Sequence, residues 1–265
     1  MSHPIALTVA GSDPCGGAGL QADLKTFEAL DVYGTSVVTA VTAQNTVELT
    51  AVHDVPSAVV RQQLRAVLSD LPPRAVKVGM LSSVPSIRAV VQELSAQPAP
   101  IVVDPIMVSK TGAPLLRATS LDALVGELFP IATLVTPNLP EASLLAGFPI
   151  RSEVEAKLAA RRIQALGPRA VLVTGGHSDG PVVVDGLLDG RTWIRYAGER
   201  IETTSTHGTG CTLSAAIAAY LARGEELPDA VAFAISYVRR ALALAPGVGA
   251  GAGPLGHHRA GLAGR

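Results

Sequence analysis

Short β-branched runs recur along this chain with helical stretches between them, and that alternation constrains the fold more than any other feature. The runs are Ile5 to Val9, Ser36 to Val41, Val76 to Val78, Ile101 to Val103, Thr133 to Val135 and Ala170 to Val173. They are brief, as expected for strands of a buried parallel sheet. Between them, Ser57 to Leu71 carries apolar residues at helical spacing behind Pro56, and Ser152 opens a helical run to Leu166 that Gly167 closes. Strand, helix and strand in repetition give a doubly wound α/β sheet with helices on both faces. From Pro181 to Thr203 the pattern changes to strands joined by turn pairs such as Asp189-Gly190, an antiparallel hairpin added at the sheet edge. Helical signals return in Gly208 to Ala222 and Asp229 to Ala245. The tail from Pro246 is rich in Gly and Ala, and beyond Gly256 it has no apolar periodicity, so it is expected to be loosely ordered. No repeat or interdomain linker interrupts residues 1–265, which read as a single domain.

Composition excludes several function classes. Hydrophobic residues make up 48 % of the chain and aromatic ones only 3 %, so the core is built from Ala, Val, Leu and Ile. The net charge of −1 and the scattered Lys and Arg offer no basic face, which speaks against a nucleic-acid partner. No segment reaches the roughly 18 to 20 apolar residues that span a bilayer. Met1 to Ala10 has no basic n-region, so a cytoplasmic location is expected. The two cysteines, Cys15 and Cys211, read as thiols.

Open parallel sheets bind ligands beyond the carboxyl ends of their strands. Here those ends carry Gly11-Ser-Asp13, Gln44-Asn45, Gly79-Met80, Asp104-Pro105, Pro137-Asn138 and Thr174-Gly-Gly176. Within the first loop, Gly17-Ala-Gly-Leu-Gln-Ala22 fits a dinucleotide fingerprint, but such a site needs an acidic residue after the second strand, where Thr42-Ala-Gln-Asn45 stands. A Walker loop would need Lys in place of Gly17. The loop reads instead as close backbone approach to a small substrate, with Asp23 facing the same pocket, or as a tight turn that needs glycine.

Thr206-His-Gly-Thr-Gly-Cys-Thr212 leads straight into a helix. Glycines at a helix start leave amides unpaired beside the positive end of the dipole, an anion hole fit for a phosphoryl group in transfer. Cys211 sits in that field, where a depressed pKa would let it accept a proton; a small buried Cys under a helix start is the alternative. Asp104 and Glu141 suit Mg²⁺, or cap local structure. Lys110 could reach a phosphate or be a solvated loop residue.

Together these residues resemble the ribokinase-like superfamily and, within it, the hydroxymethylpyrimidine and phosphomethylpyrimidine kinases of thiamine biosynthesis. The carriers are Ala10 to Lys25, Thr42 to Thr46, Val78-Gly-Met80, Val102 to Lys110, Thr136 to Glu141, Thr174 to His177 and Thr206 to Thr212. The resemblance implies a ribokinase-like fold, ATP and Mg²⁺, a homodimer, and two successive phosphorylations at one site, alcohol to monophosphate and monophosphate to diphosphate. It implies Cys211 as base with the amides of Gly208, Thr209 and Gly210 as anion hole. It also implies Gln44 on the aminopyrimidine edge, Gly11, Thr42 and Met80 lining the pocket, and Asp23 on the substrate side. Asp104 and Glu141 would organise Mg²⁺, and Lys110, Asn138 and Thr174 would face the ATP phosphates. Cys15 and Thr42 depart from the family pattern, where Ser and an apolar Val would be expected. A pyridoxal kinase of the same superfamily and a non-catalytic ligand-binding protein on this fold are the alternative readings; a dinucleotide oxidoreductase fails at the missing acid.

Overall fold

The computed structural model describes residues 3–107, 118–176 and 180–263. The chain opens with β1 (Ile5–Ser12), α1 (Gly19–Ala29), β2 (Tyr33–Gln44), β3 (Leu49–Asp54), α2 (Ser57–Asp70), β4 (Ala75–Val78), α3 (Val84–Leu94) and β5 (Ile101–Val103). A helical segment of mixed pitch runs from a 3-10 turn at Ala118–Ser120 through α4 (Leu121–Ala123) and leads to β6 (Leu134–Val135), α5 (Leu139–Ala146), α6 (Glu153–Gln164) and β7 (Ala170–Val173). The hairpin β8 (Val182–Asp189) and β9 (Thr192–Glu199) follows, then α7 (Thr209–Ala222), α8 (Leu227–Ala243) and α9 (His257–Leu262).

All nine strands join one sheet in the order β3-β2-β1-β4-β5-β6-β7-β8-β9. The six strands from β2 to β7 in that order run parallel, and the hairpin adds antiparallel at one edge as its turn residues suggested. The other edge is β3, which pairs antiparallel with β2 and is mostly exposed. Asn45 makes the turn between them, its Oδ1 accepting from the amides of Val47 and Glu48.

Period-two alternation splits the core. Leu7, Val9, Val76, Val78 and Val103 face α2, α3, α5 and α6. Ala6, Ala75, Val102, Leu134 and Leu172 face α1, α7, α8 and α9. Cys211 through Ala219 are all buried, so α7 is enclosed on every side. Its alanines let it lie close over the sheet, where extra methylenes would strain the packing by about 1–3 kcal/mol.

The C-terminal segment departs from expectation: it is ordered and largely anchored. Leu255, His257 and Ala260 are buried, α9 packs on α1 and α8, and Tyr237 Oη donates to the His257 carbonyl at 3.0 Å. A six-residue helix is too short to print an apolar period, and the glycines serve close approach: a Cβ on Gly261 would overlap the Ala29 carbonyl oxygen.

Candidate active site

A cavity of about 820 Å³ opens over the carboxyl ends of the parallel strands. Gly11, Thr42, Gln44 and Met80 line it on the β2-β1-β4 side; Asp104, Asn138, Glu141 and Thr174 line it on the β5-β6-β7 side. Helix α7 packs over β1, β4 and β5, so Gly208, Thr209, Gly210 and Cys211 enter the cavity between those halves.

The pocket end is built by backbone fit. Gly11 keeps the wall open, since a Cβ there would come 3.1 Å from Met80 Sδ. Thr42 is buried and donates to the Ser12 carbonyl at 2.9 Å, which holds β2 to the first loop. That loop turns about Asp13: one carboxylate oxygen accepts from the amides of Gly17 (3.2 Å) and Ala18 (2.8 Å), the other from the amide of Cys15 (3.0 Å). His207 Nε2 lies 2.8 Å from Asp13 Oδ2 and ties the first loop to the segment before α7. Burial pushes the Asp13 pKa up, but His207 and the Ala18 amide outweigh it and hold the carboxyl below its usual range. Gly208, at φ 80°, stands where a Cβ would overlap the Gly17 carbonyl oxygen, so only glycine lets the two loops meet.

Charge is concentrated on the floor. Lys77 points from β4 toward α7, wholly buried, and donates to Asp23 Oδ2 at 2.7 Å. Burial would pull Lys77 down, but Asp23, Cys211 and Asp104 together hold it above the ordinary lysine range. Asp104 is buried, accepts from Ser214 Oγ at 3.3 Å and faces Gly210. Burial, reinforced by Asp23 and against the pull of Lys77, pushes it to about 6. Burial, then the charge of Asp104, pushes Glu141 to about 8. Two carboxylates, both raised by desolvation and Glu141 further by the charge of Asp104, form a donor set fit for a hard divalent cation.

The profile of the family described as phosphomethylpyrimidine kinase matches residues 13–256. The chain belongs to that family. A hydroxymethylpyrimidine/phosphomethylpyrimidine kinase of Rhizobium meliloti is 51 % identical to this kinase over 260 residues, which is 96 % of this chain and 97 % of that one. The pyridoxal kinase from Staphylococcus aureus in complex with ADP superposes with a TM-score of 0.90 at 36 % identity, covering 97 % of this chain and 94 % of that one. A phosphomethylpyrimidine kinase from Clostridium difficile 630 gives 0.80 at 43 % identity, over 89 % and 98 %.

Two expectations need correction in this kinase. Asp23 does not face the pocket. It is wholly buried beneath it, bonded to Lys77 and to Thr8 Oγ1 at 2.6 Å, because that face of α1 lies on the sheet. Cys211 does not carry a depressed pKa: burial, then Asp104 and Asp23, push the thiol up to about 12 against Lys77 and the Gly19 amide. A helix start contributes at most about 2 kcal/mol, less than the cost of desolvating a thiolate. Asn138 and Glu141 line the cavity and also form a capping box on α5, the Glu141 amide donating to Asn138 Oδ1 and the Asn138 amide to Glu141 Oε2, each at 3.0 Å. Lys110 and His177 lie outside the described residues. Sequence reasoning passed over Lys77, whose signal was a lone charge in the strand Ala75-Val-Lys-Val78, and the Asp13–His207 pair.

Proposed function

We propose that this chain, acting as one kinase domain, transfers the terminal phosphoryl group of ATP to 4-amino-5-hydroxymethyl-2-methylpyrimidine and then to the resulting monophosphate. The observation that carries the reading is one cavity in which a Gln44 pocket, a glycine-rich helix start and the carboxylates of Asp104 and Glu141 are continuous. The ADP bound in the Staphylococcus aureus relative supports ATP as donor.

Gln44 offers a donor and an acceptor to the aminopyrimidine edge, while Gly11, Thr42 and Met80 form the wall. This turns the hydroxymethyl group toward α7. The amides of Gly208, Thr209 and Gly210 then receive the oxygens of the moving phosphoryl group. Asp104 and Glu141 would hold Mg²⁺, which when bound neutralises charge on the ATP phosphates. The Asn138 amide nitrogen, the Thr174 hydroxyl and Lys110 are assigned to those phosphates, and Val183, Ile235 and Leu242 offer an apolar wall for the base.

Burial keeps Cys211 a thiol. Once the charge of Asp104 is compensated, one cause of its raised pKa is gone, and Lys77 and the Gly19 amide favour the thiolate that takes the alcohol proton. Asp23 positions Lys77.

A coupled ADP-release assay offering hydroxymethylpyrimidine, its monophosphate and pyridoxal separately tests the reading. Turnover of both pyrimidines supports it; turnover of pyridoxal alone replaces it with the pyridoxal kinase reading. The exposed β3 edge and the exposed Val41, Val47 and Val52 beside it support a homodimer, which light scattering would read. A cytoplasmic location accords with the finding that no helix among the described residues is long and apolar enough to cross a membrane.

A further inference from the structure

Cys15 has no part in the transfer described above, yet its surroundings are those of a ligand. Cys15 Sγ lies 3.3 Å from Asp13 Oδ2, and His207 Nε2 lies 2.8 Å from the same oxygen. One ligand atom from each of the three residues falls within 4.8 Å of the other two. Around a tetrahedral Zn²⁺, with Zn–S near about 2.3 Å and Zn–N and Zn–O near about 2.0 Å, neighbouring donors stand roughly 3.3 to 3.5 Å apart. Shifts of about 1 Å or less would bring these three atoms to that spacing. We propose that Asp13, Cys15 and His207 form a site for a thiophilic divalent cation, Zn²⁺ above all, which closes the pyrimidine end of the cavity when filled.

The donor set gives the selectivity. Thiolate and imidazole suit Zn²⁺, whereas Mg²⁺ prefers the all-oxygen pair Asp104 and Glu141. Two of the three donors are already fixed. Asp13 is buried and oriented by the Gly17 and Ala18 amides, and the His207 backbone amide donates to the Gly253 carbonyl at 3.0 Å. Supporting bonds of this kind orient metal ligands. Coordination displaces the hydrogens now lying between the donors: the Cys15 thiol proton leaves to solvent, and the imidazole carries its proton on Nδ1 so that Nε2 can bind. Gln44 Nε2 lies 3.4 Å from His207 Nε2, so a cation held here has the Gln44 amide as its next neighbour. Filling the site would set a positive charge against the Gln44 NH2 group assigned to the pyrimidine and staple the first loop to the segment before α7. The predicted inhibition rests on the proposed function; the binding does not.

Titration with Cd²⁺, read by its thiolate-to-metal charge-transfer band, tests the site directly. The band should saturate at one equivalent, persist in Cys211→Ala and vanish in Cys15→Ser. In His207→Asn the affinity should fall by at least about 100-fold, the upper end of what losing an outer partner costs. With Mg²⁺-ATP saturating, Zn²⁺ should raise the KM for the alcohol, reversibly with chelator, and leave kcat unchanged. Cys15→Ser should keep basal turnover and lose this sensitivity. A band that depends on Cys211, or no saturable band, overturns the proposal and leaves the cluster as a hydrogen-bonded clamp. Should no pyrimidine prove to be a substrate, the Cd²⁺ titration still decides the site.

Discussion

Lys77→Met removes a fully buried cation and leaves an apolar chain of similar length. Its partner Asp23 is equally buried, with Oδ1 lacking any hydrogen-bond partner, so the carboxylate depends on Lys77 for compensation. Breaking a buried pair from one side costs about 3–5 kcal/mol while the remaining charge persists. Proton uptake by Asp23 is the escape. Burial already holds its pKa above the ordinary value, and losing Lys77 removes the chief opposing cause. Where the folded variant binds that proton and the unfolded chain does not, stability should rise by about 1.4 kcal/mol for each unit the pH falls. Urea unfolding at several pH values between 6 and 8 reads this slope. The companion Lys77→Met/Asp23→Asn removes the charge and keeps an acceptor for Thr8 Oγ1. It should recover most of the loss, short by about 1–3 kcal/mol for the unpaired amide hydrogens. Turnover should stay about 10²- to 10³-fold down in both variants, because the positive charge beside Cys211 is gone. Recovery of turnover together with stability in the double variant would refute the catalytic role of Lys77. A single variant with no pH slope would refute its role as the compensating charge.

Four further outcomes are expected. Cys211→Ala should slow the first phosphorylation by about 10² to 10⁴ and the second less, since a phosphate acceptor is already largely ionised near neutrality; equal losses in single-turnover assays would indicate loop geometry instead. With the Cys211 thiol pushed to about 12, wild-type kcat/KM should climb across the alkaline range without a plateau, whereas kcat, read with substrates bound, should level at lower pH. Glu141→Gln keeps an acceptor for the Asn138 amide, so it should unfold near wild type in urea while its Mg²⁺ dependence worsens, and Glu141→Ala should lose about 1 kcal/mol as well. Gln44→Leu should cost about 10²-fold or more in kcat/KM for hydroxymethylpyrimidine, because ring polar atoms lose their partner; an unchanged value places the ring elsewhere.

The parallel strands were legible because each buried one concentrates β-branched residues in a short run, and the strand ends then placed most of the site. Strand β3 was not, because Leu49-Thr-Ala-Val-His-Asp54 sits on an exposed edge that imposes no apolar pattern. Asp23 was rightly assigned to the helix after the first loop, but sequence could not say that it turns inward to Lys77. Cys211 shows the same limit from the electrostatic side: the helix start can be read from Gly208-Thr-Gly210, whereas the burial that overrides it comes from contacts distant in sequence. The final segment escaped notice because its order depends on backbone fit rather than on an apolar period.

The His207 amide is bonded to the Gly253 carbonyl, His207 and Pro254 form a β-bridge, and Pro254 closes on Gly17. Segments far apart in the sequence therefore meet at one point beside the cavity. At the usual 5–20 residues per second, translation takes roughly 2–9 s to pass from His207 to Gly253. During that interval the loop before α7 exists without the bridge that steadies it, and the first loop lacks its contact with Pro254. The order in which the chain is made thus leaves the fit of these two loops to one another until the segment around Gly253 and Pro254 is in place.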